Sequence, residues 1–363
     1  MRATESLHRA RGLGRLWPQS GGPGHPSRAR FEPWRDWAVL AAATHGLLIT
    51  AALTPPGLLW LLVFGVLLGL SLAVTTLTVL HDAGHRRFAR QSWPNVLAVQ
   101  AAAPFGLWAG HWTRKHRVHH RLSQVYPIDE STRSSALVRL HPSAPSRPIH
   151  RWQHLYVWGL YGLAWAGELR SQLRYLRTGV VLGCDETPSG STRTRSFISE
   201  KLLCLLILLP YARAMGVGWL SLLLVVALTL GSVFAAIILV VGHINEGLEP
   251  SAAAPSNSDW AAHLLRTTAS FSTDNRVMRW ITGGMTHHLA HHLRPVAPRH
   301  DLPELHRTLV AQLSENTGLP AADYPSLAQA IRGHYRRLRE LGPGPVTTTL
   351  TTQARGNRIS SAA

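Results

Sequence analysis

Lysine is almost absent from this chain. Of its 37 basic residues only Lys115 and Lys201 are lysines and 35 are arginines; with 19 acidic residues, the formal charge is +18. Cysteine is equally scarce. Cys184 lies in a polar stretch and Cys204 inside an apolar run, which excludes a disulfide framework and any Cys-x-x-Cys metal motif. The first 30 residues, rich in Arg, Gly, Pro and Ser, lack the apolar core of roughly 7–15 residues that a secretory signal needs. Residues 1–33 therefore read as a disordered basic tail. No Gly-rich dinucleotide fingerprint follows a strand pattern, so no built-in nicotinamide or flavin site is expected. Nor is there a repeat with a period of about 20–50 residues.

Apolar residues, by contrast, make up 45% of the chain, and they gather in blocks too long and uniform for amphipathic surface helices. Four blocks read as membrane spans: 37–53, 58–80, 197–215 and 217–241. The second is free of charge and about 35 Å long as a helix, enough to cross a bilayer core of about 30 Å. Thr54-Pro55-Pro56-Gly57 is a tight turn, so the first two spans form a hairpin, and the last two form another across 210–216. These links carry only Arg213, whereas the arginine-rich loops lie at the opposite ends. That asymmetry predicts an integral, multi-pass membrane protein with both termini cytoplasmic. The basic charge then faces anionic lipid rather than nucleic acid.

The predicted fold class is all-α: four transmembrane helices in two hairpins under a cytoplasmic helical cap, one membrane domain over 34–342. Within it, 93–107 is interrupted by Pro94 and Pro104 and reads as re-entrant or interfacial. Residues 153–168, with aromatics from Trp152 to Trp165, read as an interfacial helix, and 301–339 as a soluble amphipathic helix. Residues 343–363 read as a disordered tail. His45, inside the first span, is expected to make a helix–helix hydrogen bond.

The second abundance is histidine, with 21 residues. His81 and His85 stand at i and i+4 just past the second span. His116-xx-His119-His120 and His288-xx-His291-His292 place one histidine on a helix face shared with positions i+3 and i+4. His243 follows the last span, with Asn245 behind it. A single Zn²⁺ needs three or four protein ligands, so eight or nine imidazoles suit two metals with incomplete coordination shells. Ligand softness alone does not choose among Fe, Zn, Cu and Ni. His111 lies beside the second cluster but off its spacing, and His287 leaves the register of the third open. Isolated histidines such as His141, His150, His154, His263 and His334 are expected at the surface or satisfied in the core. Asp82, Asp129, Glu130 and Glu246 are candidates for orienting the imidazoles.

The three boxes, their spacing and the two hairpins resemble the membrane fatty-acid desaturase family over residues 35–310. Gly283-Gly284-x-x-x-His288-x-x-His291-His292-Leu293 is similar to the third box of its acyl-lipid and front-end branch. Arg294, between that box and Pro295, departs from the family's hydrophobic residue. The resemblance implies two iron ions held by His81, His85, His116, His119, His120, His288, His291 and His292, with His243 as a further ligand and O₂ as co-substrate. It also implies a fatty acyl substrate on lipid, CoA or acyl carrier protein. A bacterial plasma membrane is the expected location. Hydroxylase, epoxidase and acetylenase chemistry on the same scaffold stay open, as does a non-enzymatic metal-binding protein. No His-Pro-Gly-Gly haem motif occurs in the chain. Electrons are therefore expected from a separate carrier, ferredoxin or cytochrome b5 with its reductase, docking near Arg114, Lys115, Arg117 and Arg121. Soluble carboxylate di-iron proteins use paired Glu-x-x-His. Here the one such triplet is Glu5 to His8, which excludes that class.

Overall fold

The computed structural model describes residues 26–342 apart from 90, 183, 185–187, 252 and 257–258, with side chains from residue 32. Residues 1–25 and 343–363 of the predicted tails lie outside the described residues. The first helix, α1, spans Pro26–Leu53, so it begins within the stretch read as tail. Proline suits a first helical position, where its missing N–H would have no helical partner. After the Pro-Pro-Gly turn, α2 runs over Leu58–Gly84. It passes through a π-helical turn at Thr76–Leu80 directly into His81–Gly84, so the first box continues the span as the sequence suggests.

Three helices among the described residues are long and apolar enough to cross a membrane: Glu32–Leu53, Leu58–Gly84 and Val217–Val241. We call the last α8. The fourth predicted span, 197–215, is the second part of α7, Gly190–Met215, which is not among them. Charged residues in the body of α7 account for the difference, and the protein uses them. Glu200 accepts a hydrogen bond from the Ala109 amide at 2.8 Å, placing a carboxylate at the N-terminus of α4 (Ala109–Arg121), where the helix dipole favours it. Lys201 donates to the Gly106 carbonyl and to Gln172 Oε1.

The helices α2 and α8 form the centre of the bundle. A Cβ on Gly231 would lie 2.5 Å from the Gly69 carbonyl oxygen, and one on Gly69 would lie 2.6 Å from that of Ala227. Backbone contact of this kind through small residues is how membrane helices approach closely. Leu48, Leu68, Leu72, Leu220 and Leu223 pack around it, while Leu59, Leu62 and Val217 face outward. His45 makes the expected interhelical bonds, with Nδ1 2.6 Å from the Tyr211 hydroxyl and Nε2 2.9 Å from the Ala101 carbonyl.

The remaining elements are α3 (Ser92–Ala102), α5 (Gln153–Tyr161), α6 (Ala164–Thr178), α9 (Trp260–Thr267), α10 (Arg276–Ile281), α11 (His288–Leu293), α12 (Leu302–Leu305), α13 (Ala311–Thr317) and α14 (Leu327–Leu341). The helix read over 153–168 is thus broken near Gly162. The one read over 301–339 is split by Gly318, at φ +68°, and the Pro320 that follows. Between its halves, β2 (Ala322–Tyr324) pairs in parallel with β1 (Ala269–Phe271), so the fold is mostly helical rather than all-α. Phe271 and Met285 pack on Leu77, Ile238 and Val241, which sets these elements on the end where α2 and α8 finish.

Candidate metal centre

The structure brings all nine histidines singled out in the sequence together at that end, in two adjoining groups. His81, His85, His116, His120 and His291 form one; His119, His243, His288 and His292 form the other. Within each group the nearest ring nitrogens lie within 4.8 Å of one another. Each HxxHH box splits between the two. His116 and His120 serve the first group and His119 the second; His288 and His292 serve the second and His291 the first. Consecutive helical residues point about 100° apart, so each His-His pair reaches both centres. The rings of His120 and His292 stand 4.4 Å apart across the boundary.

The Nε2 atoms converge. Those of His85, His116, His120, His291 and His81 form a chain with separations of 3.1, 3.1, 3.1 and 3.0 Å. The Nε2 of His288 lies 2.9 Å from that of His243 and 3.0 Å from that of His292. A ring nitrogen offers one N–H or one lone pair, never both, so two-centre hydrogen bonds serve at most two of the four contacts in the first chain. A cation satisfies all of them: two ligands cis on an octahedral ion, each about 2.1 Å from it, are about 3.0 Å apart. The donor set therefore fits a pair of metal ions.

The surroundings hold seven of the nine imidazoles toward the neutral form that ligation requires. Burial, reinforced by neighbouring imidazoles, pushes His116, His120, His288, His291 and His292 well below the usual range. Burial lowers His85 to about 4 and His243 to about 3. Two rings are held by their far nitrogen: His119 Nδ1 donates to Asp129 Oδ2 at 3.0 Å and His243 Nδ1 to the Thr267 carbonyl at 3.1 Å. That leaves Nε2 free for the centre. Burial alone would raise Asp129, but the His119 ring and hydrogen bonds from Ser131 hold it down at about 2.

Of the four carboxylates considered from sequence, only Asp129 hydrogen-bonds one of the nine histidines. Asp82 accepts from Arg87 and Arg299, both at 2.7 Å. Glu130 pairs with Lys115 and Arg174, and Glu246 with Arg336. Asn245 does not touch His243; its amide donates to the Val241 and Ala330 carbonyls. His287 lies outside both groups, against Thr286 and His306, so His288 is the third box's first member. His111 is buried between Glu168 and Ser171. In the basic patch, Lys115 pairs with Glu168 and Arg114 donates to the Gly110 carbonyl; Arg117 and Arg121 are exposed.

Sequence reasoning missed Arg299, which also binds Asp36 at 2.8 Å and so ties α1 to the first box. Arg299 carries no local spacing signal. His334, expected at the surface or satisfied in the core, is the latter, with its Nδ1 donating to the Ile244 carbonyl at 2.5 Å beside His243.

Two adjoining groups of buried imidazoles at the end of membrane-length helices define a class: membrane proteins with histidine clusters able to bind metal. The chain belongs to the fatty acid desaturase family, whose model matches residues 57–323. It is similar to the sn-1 linoleoyl-lipid 6-desaturase of Synechocystis sp., 26% identical over 76% of this chain and 79% of that one. The enzyme of the same name from Arthrospira platensis is 24% identical over 81% and 82%. The acyl-lipid (8-3)-desaturase of Mortierella alpina is 27% identical over 79% and 66%. The chain is accordingly an oxidoreductase of fatty acid metabolism.

Proposed function

We propose that this protein inserts a double bond into a lipid-linked acyl chain at a two-iron centre held by the nine histidines. The balance is –CH₂–CH₂– + O₂ + 2 e⁻ + 2 H⁺ → –CH=CH– + 2 H₂O. Bound iron supplies the oxidising power toward an unactivated methylene that no amino-acid acid or base has. The chain's own part is positional. The π turn carries His81 and His85 to the end of α2, Asp129 and the Thr267 carbonyl fix two rings, and burial excludes water and keeps the ligands neutral. The observation that carries the reading is the splitting of nine imidazoles into two contiguous groups. The acyl-lipid names of the relatives support the substrate class.

The two electrons come from a separate carrier meeting the exposed Arg117 and Arg121 side of α4. The membrane topology is four spans with the metal centre and both termini cytoplasmic. Support for the fourth span is geometric. If α2 and α8 both cross, their histidine-bearing ends lie on one side, so the chain between them must cross once more, and α7 directly precedes α8. Protein purified from iron-replete cells is expected to carry about two Fe per chain, and lipids from expressing cells to show a new double bond by gas chromatography after derivatisation. His120→Ala or His291→Ala should lose both. One tightly bound zinc and no iron would refute the reading.

A further inference from the structure

Away from the metal centre, α5 and α14 enclose an open cleft of about 440 Å³ lined by Trp158, Ile331, Arg332, Tyr335, Arg336 and Arg339. The three arginines stand at i, i+4 and i+7, one face of α14. Arg336 pairs with Glu246. The side chains of Arg332 and Arg339 are exposed and make no ion pair or hydrogen bond among the described residues. Two cations therefore share a concave surface with two aromatic rings and have no ion-pair partner among the described residues.

The cleft lies beside the end of a membrane-length helix. Ile331 packs against the buried cluster that includes Ile238 and Val241 of the last two turns of α8. Trp165, just beyond α5, donates to Thr229 of α8 at 3.3 Å, so the α5–α6 elbow runs along that span. The neighbouring α5 region exposes Trp152 (52%), Leu155 (55%) and Leu163 (56%). An apolar, Trp-bearing edge beside free arginines at a span's end is the arrangement that sits where acyl chains give way to headgroups. Arginine forks bind phosphate oxygens in bidentate fashion.

We infer that this cleft binds the phosphodiester headgroup of an anionic membrane lipid, with Arg332 and Arg339 as its phosphate ligands. Trp158 and Tyr335 wall the site, and the lipid's chains lie along the exposed edge of α5. The inference rests on the membrane placement given above but not on desaturation.

The test is native mass spectrometry of the full-length protein released from mixed micelles holding equal phosphatidylglycerol and phosphatidylcholine. One retained phosphatidylglycerol per chain is expected. R332A/R339A should reduce its retention on the order of thirtyfold, about fivefold per arginine, and R332K/R339K should restore part of it. R133A/R276A, which removes exposed arginines elsewhere, should leave retention unchanged. Equal retention of the two lipids, or an unaltered R332A/R339A, would overturn the assignment. So would arginine-dependent binding of inorganic phosphate without retained lipid. Because the readout is bound lipid, its failure leaves acyl-chain turnover, and the desaturase reading, standing.

Discussion

Arg299 holds two carboxylates at once. Its guanidinium reaches Asp82 at 2.7 Å and Asp36 at 2.8 Å, and all three side chains are at least nine-tenths buried. Arg299→Ala would leave Asp82 to Arg87 alone and Asp36 to Arg35 and Trp280, and is expected to cost about 1.5–3 kcal/mol for the charged hydrogen bonds lost, read as a lowered unfolding midpoint in detergent. Arg299→Lys should recover only part, since an ammonium cannot fork between both partners. The pairing was invisible in the sequence because it joins residues 217 apart with no periodicity. Eight of the nine histidines were legible for the opposite reason, since i, i+3 and i+4 are local spacings; His243 stands alone after α8 and was legible only by that position and the family resemblance. The division of the nine between two centres was not legible, because it depends on which elements face each box. A pH dependence belongs at this scale too. His85 and His243 titrate near 4 and 3 in the folded protein against an ordinary 6.5. The unfolded chain therefore takes up protons first as pH falls below 6.5, and the stability present above that value drains away until about pH 4 for His85 and about pH 3 for His243. Metal release follows the same direction, since ligation needs neutral imidazole. Iron content and thermal midpoint should fall together from about pH 6.5 downward; a flat profile would contradict the buried, neutral cluster.

At the scale of elements, the third box docks against the π turn of α2. Gly283, at φ +62°, brings its backbone so close to Leu77 that a Cβ would sit 1.9 Å from the Leu77 carbonyl oxygen. The Gly-Gly pair was legible as a motif, but its reason lies in a π turn no sequence pattern marks. The helix α14 plays a second supporting part. His334 is fully buried, with Nδ1 on the Ile244 carbonyl and Nε2 accepting from the Tyr161 hydroxyl at 2.6 Å. Ala330 accepts from Asn245, so α14 pins the turn that presents His243. His334→Phe would leave two buried polar groups unpaired, about 1–3 kcal/mol each. It should loosen the four-histidine group first. Iron is expected to fall from about two toward one per chain before the five-histidine group fails; equal loss from both, or none, would remove α14's role. Amphipathicity alone could not separate α13 from α14, although Gly318 and Pro320 marked the break.

For the whole molecule, the three most apolar helices announced themselves by composition, while α7 did so only in part. Its Glu200 and Lys201 cap α4 and bind the Gly106 carbonyl at the histidine end; on the proposed four-span topology its apolar half lies in the bilayer. The histidines after α2 and after α8 meet in one cluster, which fixes the two helix ends on the same side. A chain that leaves α2 there and enters α8 from the far side has crossed an odd number of times between them, and α7 is the one long helix available among the described residues. Single cysteines in a background lacking Cys184 and Cys204 test this directly. Pro56→Cys and Val217→Cys, both exposed, should react with an impermeant maleimide added outside intact cells. Arg133→Cys and Arg307→Cys, also exposed, should react only after the membrane is opened. External labelling at position 133 would invert the topology. Protection of position 217 alongside labelling at 56 would mean that α7 does not cross. In that case α8 could not span either, since its last turn must meet the first box on the inner side.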